Sequence, residues 1–412
     1  MRVYLELLTR RPAFLRMWSA ELVSLIGDWF SLVAVSILSL DSPDGGVFAL
    51  ATSLAAHLLP QAFAAPLGGW VADRFDKRRV LLAGAYIEGA LTLLMLGAAH
   101  LGTIGVLQLA LCLRSMASAV REPAAGAALP TIVERDELRD ANTLTGFTWS
   151  VALAIGMSIG GFVTASGPQF ALAVDACTFL LSAAILFGLP KLPPSEEPRA
   201  EGGIAPVRDI VLAARAGWSP RMRRSIFTFA PVALVSGSGW LHLNLVGHVH
   251  ALAAGAAATI GILQAIRGVG TALGPIASRR VSGSSLDRFA DVGALVVVIG
   301  AVGLAFAPTF WFASIAAVLW GAGGGAVWVI LTTEIQTSKD EAMRGRYIAL
   351  AGLAFTASMT LGAWTAAALL QVGLSEGIGA VIIGAAACVS WLALRRPSLE
   401  TAPGRSATVA GS

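Results

Sequence analysis

Charge is what this chain has least of. Lys, Arg, Asp and Glu make up 13% of its 412 residues, where a soluble domain carries about 25%. So few charges cannot cover a water-facing surface, which excludes an ordinary soluble protein. Cysteine is also scarce. Cys112, Cys177 and Cys388 sit singly inside apolar stretches, without metal-ligand spacing, and read as small core residues. No Walker loop, zinc-protease motif or cysteine cluster occurs, which removes the obvious ATP-driven and enzymatic readings. No catalytic residue, metal or cofactor is expected.

What is abundant is apolar: 56% of the residues are hydrophobic and 45 are glycine. Lipid is the solvent that suits this balance, and small residues let membrane helices approach closely. Apolar runs fall at about 14–40, 47–72, 80–99, 104–122, 143–165, 169–189, 225–249, 256–277, 290–306, 310–332, 347–370 and 376–394. The runs are too long, and too uniform in polarity, for barrel strands. They predict an all-α membrane protein of twelve spans. The first run follows a basic segment but is long and succeeded by many others, so a retained span is expected rather than a cleaved leader.

The cations sort to one face. Apart from Arg114 and Arg267, every Lys and Arg lies in the N-terminal segment, the tail, or a connection that follows an even-numbered span. The opposite connections, such as "DSPDGG" and "HLGT", have none. Positive charge stays cytoplasmic, so both termini are expected inside. The basicity is then a topology signal, and no nucleic-acid partner is expected.

The longest connection, Lys191 to Arg224, is rich in Pro and charge and divides the chain six spans by six. The expected units are a bundle over 1–190, a linker over 191–224, a bundle over 225–396 and a disordered tail over 397–412. Val207 to Ala216 could form an interfacial helix within the linker. The halves echo each other: "GWVADR" (Gly69–Arg74) answers "GPIASR" (Gly274–Arg279), and "LPTIV" answers "LTTEI". Such a repeat predicts two pseudo-symmetric six-helix bundles around a central cavity, able to rock against each other.

Short connection two-to-three reads "GGWVADRFDKRRVLL". Gly69, Ala72, Asp73, Arg74, Lys77, Arg78 and Arg79 resemble the signature loop of the major facilitator superfamily, with Asp76 where that family commonly has Gly. The stretches "FLRMWSAELVSLIGDWFSLVA", "REPAAGAALPTIVERDELRDANTLTGFTWS" and "AVDACTFLLSAAILF" resemble, more narrowly, bacterial macrolide-efflux and enterobactin exporters. "GMSIGG", with Gly156, Gly160 and Gly161, resembles the exporters' span-five motif, Met157 replacing Pro. Four-residue glycine spacing suits tight packing. The Gly-x-Ser-x-Gly match within it, and "GVGTALG" in span eight, lie in membrane helices and read as packing. The resemblance implies proton-coupled export of a small amphipathic substrate by a monomer in the bacterial inner membrane. It also implies that the loop gates the cytoplasmic side, Asp73 meeting the start of span eleven near Arg346. Gly69 is expected to give span two its close approach.

Ionisable residues in mid-span are costly and usually functional. Asp28, Glu88, Arg114, Asp175 and Arg267 are the proton or substrate candidates. At about 1.5 Å per residue, Glu88 and Arg114 have similar depth, so a Glu88–Arg114 pair is expected, with Asp28 competing for the arginine. Asp175 is read as a helix-to-helix hydrogen-bond former. Arg267 has no obvious acid partner in its half and could meet an anionic group on the substrate or reach across the cleft. Glu21 and Glu334 are expected near the cytoplasmic ends and Glu122 at the end of span four. His242, Asn244, His248 and His250 read as interfacial polar residues, since His248 and His250 do not share a helical face. Trp218 and Trp311 read as interface anchors. Trp29, Trp149, Trp240 and Trp328 could line a cleft or simply pack.

Overall fold

The computed structural model describes residues 2–43, 46–194, 220–278, 281, 285–336 and 344–395. Among these the chain is helical throughout, with no β-strand. A short helix, α1 (Arg2–Arg10), precedes the spans. The first six are α2 (Pro12–Leu40), α3 (Gly46–Arg74), α4 (Lys77–His100), α5 (Ile104–Ile132), α6 (Leu138–Ala165) and α7 (Pro168–Phe187). The second six are α8 (Pro220–Val249), α9 (Gly255–Ser278), α10 (Ser285–Ala305), α11 (Phe310–Gln336), α12 (Arg344–Gln371) and α13 (Glu376–Arg395). Eleven of the described helices are long and apolar enough to cross a membrane, and Glu376–Leu392 of α13 is a shorter apolar segment. The 20 residues of α13 still span about 30 Å, the thickness of a hydrocarbon core.

The outward faces explain why lipid is needed. Ile87, Leu94, Leu109, Phe162, Leu181 and Ile299 are all exposed large hydrophobics on the bundle surface. In water they would form an aggregating patch. In lipid they are solvated, while each helix satisfies its own backbone hydrogen bonds.

With twelve helices crossing in turn, α1 and the C-terminal end of α13 lie on one face, called here the basic face. On that face the first bundle has its own core, built from residues such as Phe14, Leu81, Ala128 and Leu186. Toward the opposite face the two bundles meet. Leu50, Ala51 and Leu54 of α3 join the core of the second bundle, and Val33, Met157 and Ile260 bring α2, α6 and α9 together. Trp364 of α12 donates to Thr52 of α3 at 3.4 Å.

Two expected segments, the interfacial helix over Val207–Ala216 and the tail over 397–412, lie outside the described residues. Span four corrects the sequence reading. Its apolar run ends near Glu122, yet α5 continues to Ile132, with Pro123 and Pro130 inside it. The stretch "PAAGAALPTI" carries no charge and prolongs the helix, so Arg121 is a helix residue rather than a connection cation.

Candidate functional site

The site is built from two adjoining parts. The first is a charge cluster in the first bundle. Gly27 and Ser31 lie on one face of α2, against Asp175 and Thr178 of α7. A side chain at Gly27 would collide with both of those residues, so glycine is what lets the two helices close. Asp175 is fully buried and accepts a hydrogen bond from Ser31. It also accepts from Arg114 of α5 at 2.6 Å, a short charge-assisted contact. Arg114 reaches Asp28 as well, at 3.4 Å, and lies over the Phe179 ring with its guanidinium carbon 5.8 Å from the centroid.

Glu88 does not pair with Arg114, contrary to the expectation from depth. It meets Arg121 at 2.8 Å. Gly84, Glu88 and Thr92 are spaced four apart and share a face of α4; Arg114 and Arg121, seven apart, share a face of α5. The Arg121 stem lies against Gly84 and turns along α4 to Glu88. Arg114 lies one turn further on, beside Thr92 at 3.4 Å, with its guanidinium already held by Asp175. Depth was a sound guide; the competition from a third helix was not visible in it. Glu21 and Glu122 are within electrostatic reach of Arg121, and His57 of α3 is within reach of Arg114. Asp28 differs from its neighbours: its side chain is 28% exposed, against 1% for Glu88 and 0% for Asp175.

The second part is a cavity of about 430 Å³ lined by α6, α8, α9, α11 and α12. Trp149, Phe229, Trp320, Trp328 and Phe355 supply its aromatic walls and Arg267 its one ionisable lining group. Trp328, Phe229 and Phe355 pack as a cluster with ring centroids 5.4–5.7 Å apart. Glycines fix the α9–α11 seam. Side chains at Gly321 and Gly325 would strike backbone atoms of Arg267 and Thr271, and this close approach sets Arg267 beside Trp320. The two parts touch: Trp29, next to Asp28, packs edge-on against Trp149 at 6.0 Å. Trp320 carried no earlier signal, because an isolated Trp in an apolar run looks like packing. Trp240 belongs to the core of the second bundle, not the cavity.

The motif residues are placed as follows. Gly156 abuts Trp29 and Gly160 abuts Phe30, packing α6 on α2, while Gly161 abuts the backbone of Ala257 and Gly261 across the bundles. Gly69 has open space where a side chain would point. The close approach is made one residue earlier, where Gly68 meets Ala119 and Pro123, so the expected role of Gly69 is corrected. Arg74 stacks on Trp70 at 4.6 Å, and Arg79 projects outward. Asp73 is half-buried; its expected partner near Arg346 falls on side chains outside the described residues, as does the side chain of Glu334.

Lys77 and Arg78 reach backbone carbonyls. Lys77 is buried and donates to the Pro193 carbonyl at 2.9 Å. Arg78 donates to the Phe187 carbonyl at 2.6 Å, and Arg16 to the Gly188 carbonyl at 2.6 Å, which suits cations at the C-terminus of α7. Asp76, singled out only as a departure, accepts from the Arg79 N–H and the Leu192 N–H, each at 3.0 Å. It caps α4 and holds the chain leaving α7. His242 bonds the Ser238 carbonyl, and His248 approaches Asp41 at 3.9 Å.

The architecture is shared with solved transporters. A point mutant of the nucleoside transporter NupG superposes with a TM-score of 0.76 at 10% identity, over 93% of this chain and 98% of that one. An auto inhibited POT family peptide transporter gives 0.72 at 15%, over 96% and 99%. Among curated proteins, an uncharacterized MFS-type transporter of Mycobacterium tuberculosis is 28% identical over 388 residues, 87% of this chain and 85% of the relative. The enterobactin exporter EntS of Citrobacter koseri is 26% identical over 406 residues, 92% and 86% respectively. The family model described as transmembrane secretion effector matches residues 8–403. Twelve spans in two bundles, the loop signature and this match agree: the chain belongs to the transmembrane secretion effector family of major facilitator transporters.

Proposed function

We propose that the chain exports small amphipathic molecules by alternating access, driven by protons, as a monomer in the bacterial inner membrane with both termini cytoplasmic. One observation carries the coupling. Asp28, Glu88 and Asp175 face Arg114 and Arg121 in the membrane interior. Fully ionised, these five groups hold one negative charge in excess, and Glu21 and Glu122, within electrostatic reach of Arg121, add to it; each bound proton lowers that excess by one. That difference can bias which face is open, because uncompensated charge in lipid is expensive. Asp28 is the least buried of the three acids that pair with these arginines, at 28% exposed, and Trp29 beside it packs on the cavity residue Trp149.

A dedicated siderophore or metabolite exporter, or a lipid flippase, is the second reading, favoured by the enterobactin exporter among the relatives. A receptor without turnover fits poorly with buried charges beside a central cavity. The test is efflux of a fluorescent amphipathic dye from inverted vesicles under an imposed pH gradient. D28N should abolish gradient-driven flux while leaving dye exchange at equal pH. Unchanged pH dependence in D28N would remove Asp28 from coupling. Labelling of "DSPDGG" from outside intact cells tests the orientation.

A further inference from the structure

We infer that the transported molecule is an acidic aromatic amphiphile whose anionic group is bound by Arg267; this rests on the export reading and names its substrate class. Arg267 is eleven residues from the end of α9 at Ser278 and twelve from Gly255, hence near mid-membrane. Its Nε donates to Gln264 at 2.9 Å, and its guanidinium carbon lies 4.8 Å from the Trp320 ring centroid. No carboxylate stands within ion-pair distance of it among the described residues. Every other described cation in mid-membrane, Arg114 and Arg121, has an acid. Arg267 alone lines the cavity with its charge unmatched.

A guanidinium cannot discharge itself by losing a proton, so it serves poorly as a proton carrier. Its remaining N–H groups form a planar fork that suits a carboxylate, sulfonate or phosphate oxygen pair. Ser236 and Thr271 spend their hydroxyls on the Val232 and Arg267 carbonyls. The rest of the wall is aromatic or aliphatic and offers planar faces to a ring system. A cation in this cavity would meet a like charge at low dielectric with no acid in the lining to offset it. The site therefore selects by charge sign as well as by shape.

The test uses the full-length protein in nanodiscs and three probes of one shape: 2-naphthoate, 2-naphthamide and 2-naphthylmethylammonium. Equilibrium dialysis against empty nanodiscs removes lipid partitioning. Naphthoate should bind about ten-fold or more tightly than the amide, with the ammonium weakest. R267Q should lower naphthoate many-fold more than it lowers the amide, bringing the two close together, and R267K should recover part of the difference. Affinities independent of charge, a charge order that survives R267Q, or no saturable naphthoate binding would each overturn the inference. The charge order is read on the unaltered protein, so misfolding of a variant cannot rescue it. Proteoliposome flux separates the two proposals. Naphthoate binding through Arg267 without pH-driven flux leaves this inference standing and removes proton-coupled export. Proton-driven flux of the ammonium but not the naphthoate does the reverse.

Discussion

The Glu88–Arg121 pair allows a quantitative test of the charge cluster. Both side chains are almost wholly buried. Removing one partner of such a pair strands the other and costs about 3–5 kcal/mol, whereas removing both is often close to neutral. The two single variants should not be equal. In R121Q the stranded group is a carboxyl, which can be discharged by binding a proton. In E88Q it is a guanidinium, which cannot lose its own. E88Q should therefore cost about 3–5 kcal/mol and R121Q about 1–3 kcal/mol, with the double variant recovering most of the loss. Unfolding free energies measured in one bilayer system would give the coupling by a double-mutant cycle. Coupling of at least about 2 kcal/mol is expected between 88 and 121, and under about 0.5 kcal/mol between 88 and 114. The reverse ranking would mean that Glu88 belongs to Arg114 after all and that the described helix faces are wrong.

Three further outcomes follow from the geometry. D76G, which places there the glycine common in the resembling family, removes the cap of α4 and the acceptor for Leu192; the cap should cost only a few tenths of a kcal/mol and the stranded Leu192 N–H about 1 kcal/mol in unfolding experiments, while D76N should lose less. G161V should drive a side chain into the Ala257 backbone, since even a Cβ there would come within 2.7 Å of its carbonyl; cysteine labelling should find the face opposite the basic one more open and flux reduced. On the basic face, the Glu134 N–H and then Arg11 hold the Glu137 carboxyl below its ordinary value of 4.5. Its stabilisation is therefore complete above the ordinary value and lost as pH falls through the lowered one, so the melting temperature of E137Q should depend less on pH in acid than that of the unaltered chain.

The sorting of lysine and arginine and the lengths of the apolar runs were enough to read twelve spans, the two halves and the mid-span charges, because lipid enforces a coarse rule on every segment in turn. Asp28 does reach Arg114, as depth suggested, but the other partners of those charges were not readable the same way. Glu88 found Arg121 because α5 outlasts its apolar run and because Asp175, from α7, already holds Arg114. Gly68 rather than Gly69 makes the close approach to α5, a matter of helix rotation by one residue. Asp76 became a clamp only when Leu192 was folded back against it. Trp320 became a cavity wall only when the glycines of α11 brought it to Arg267. Solvation by lipid acts on each stretch of sequence separately and leaves its mark there; the choice of neighbour is made among helices far apart in the chain, and only their packing decides it.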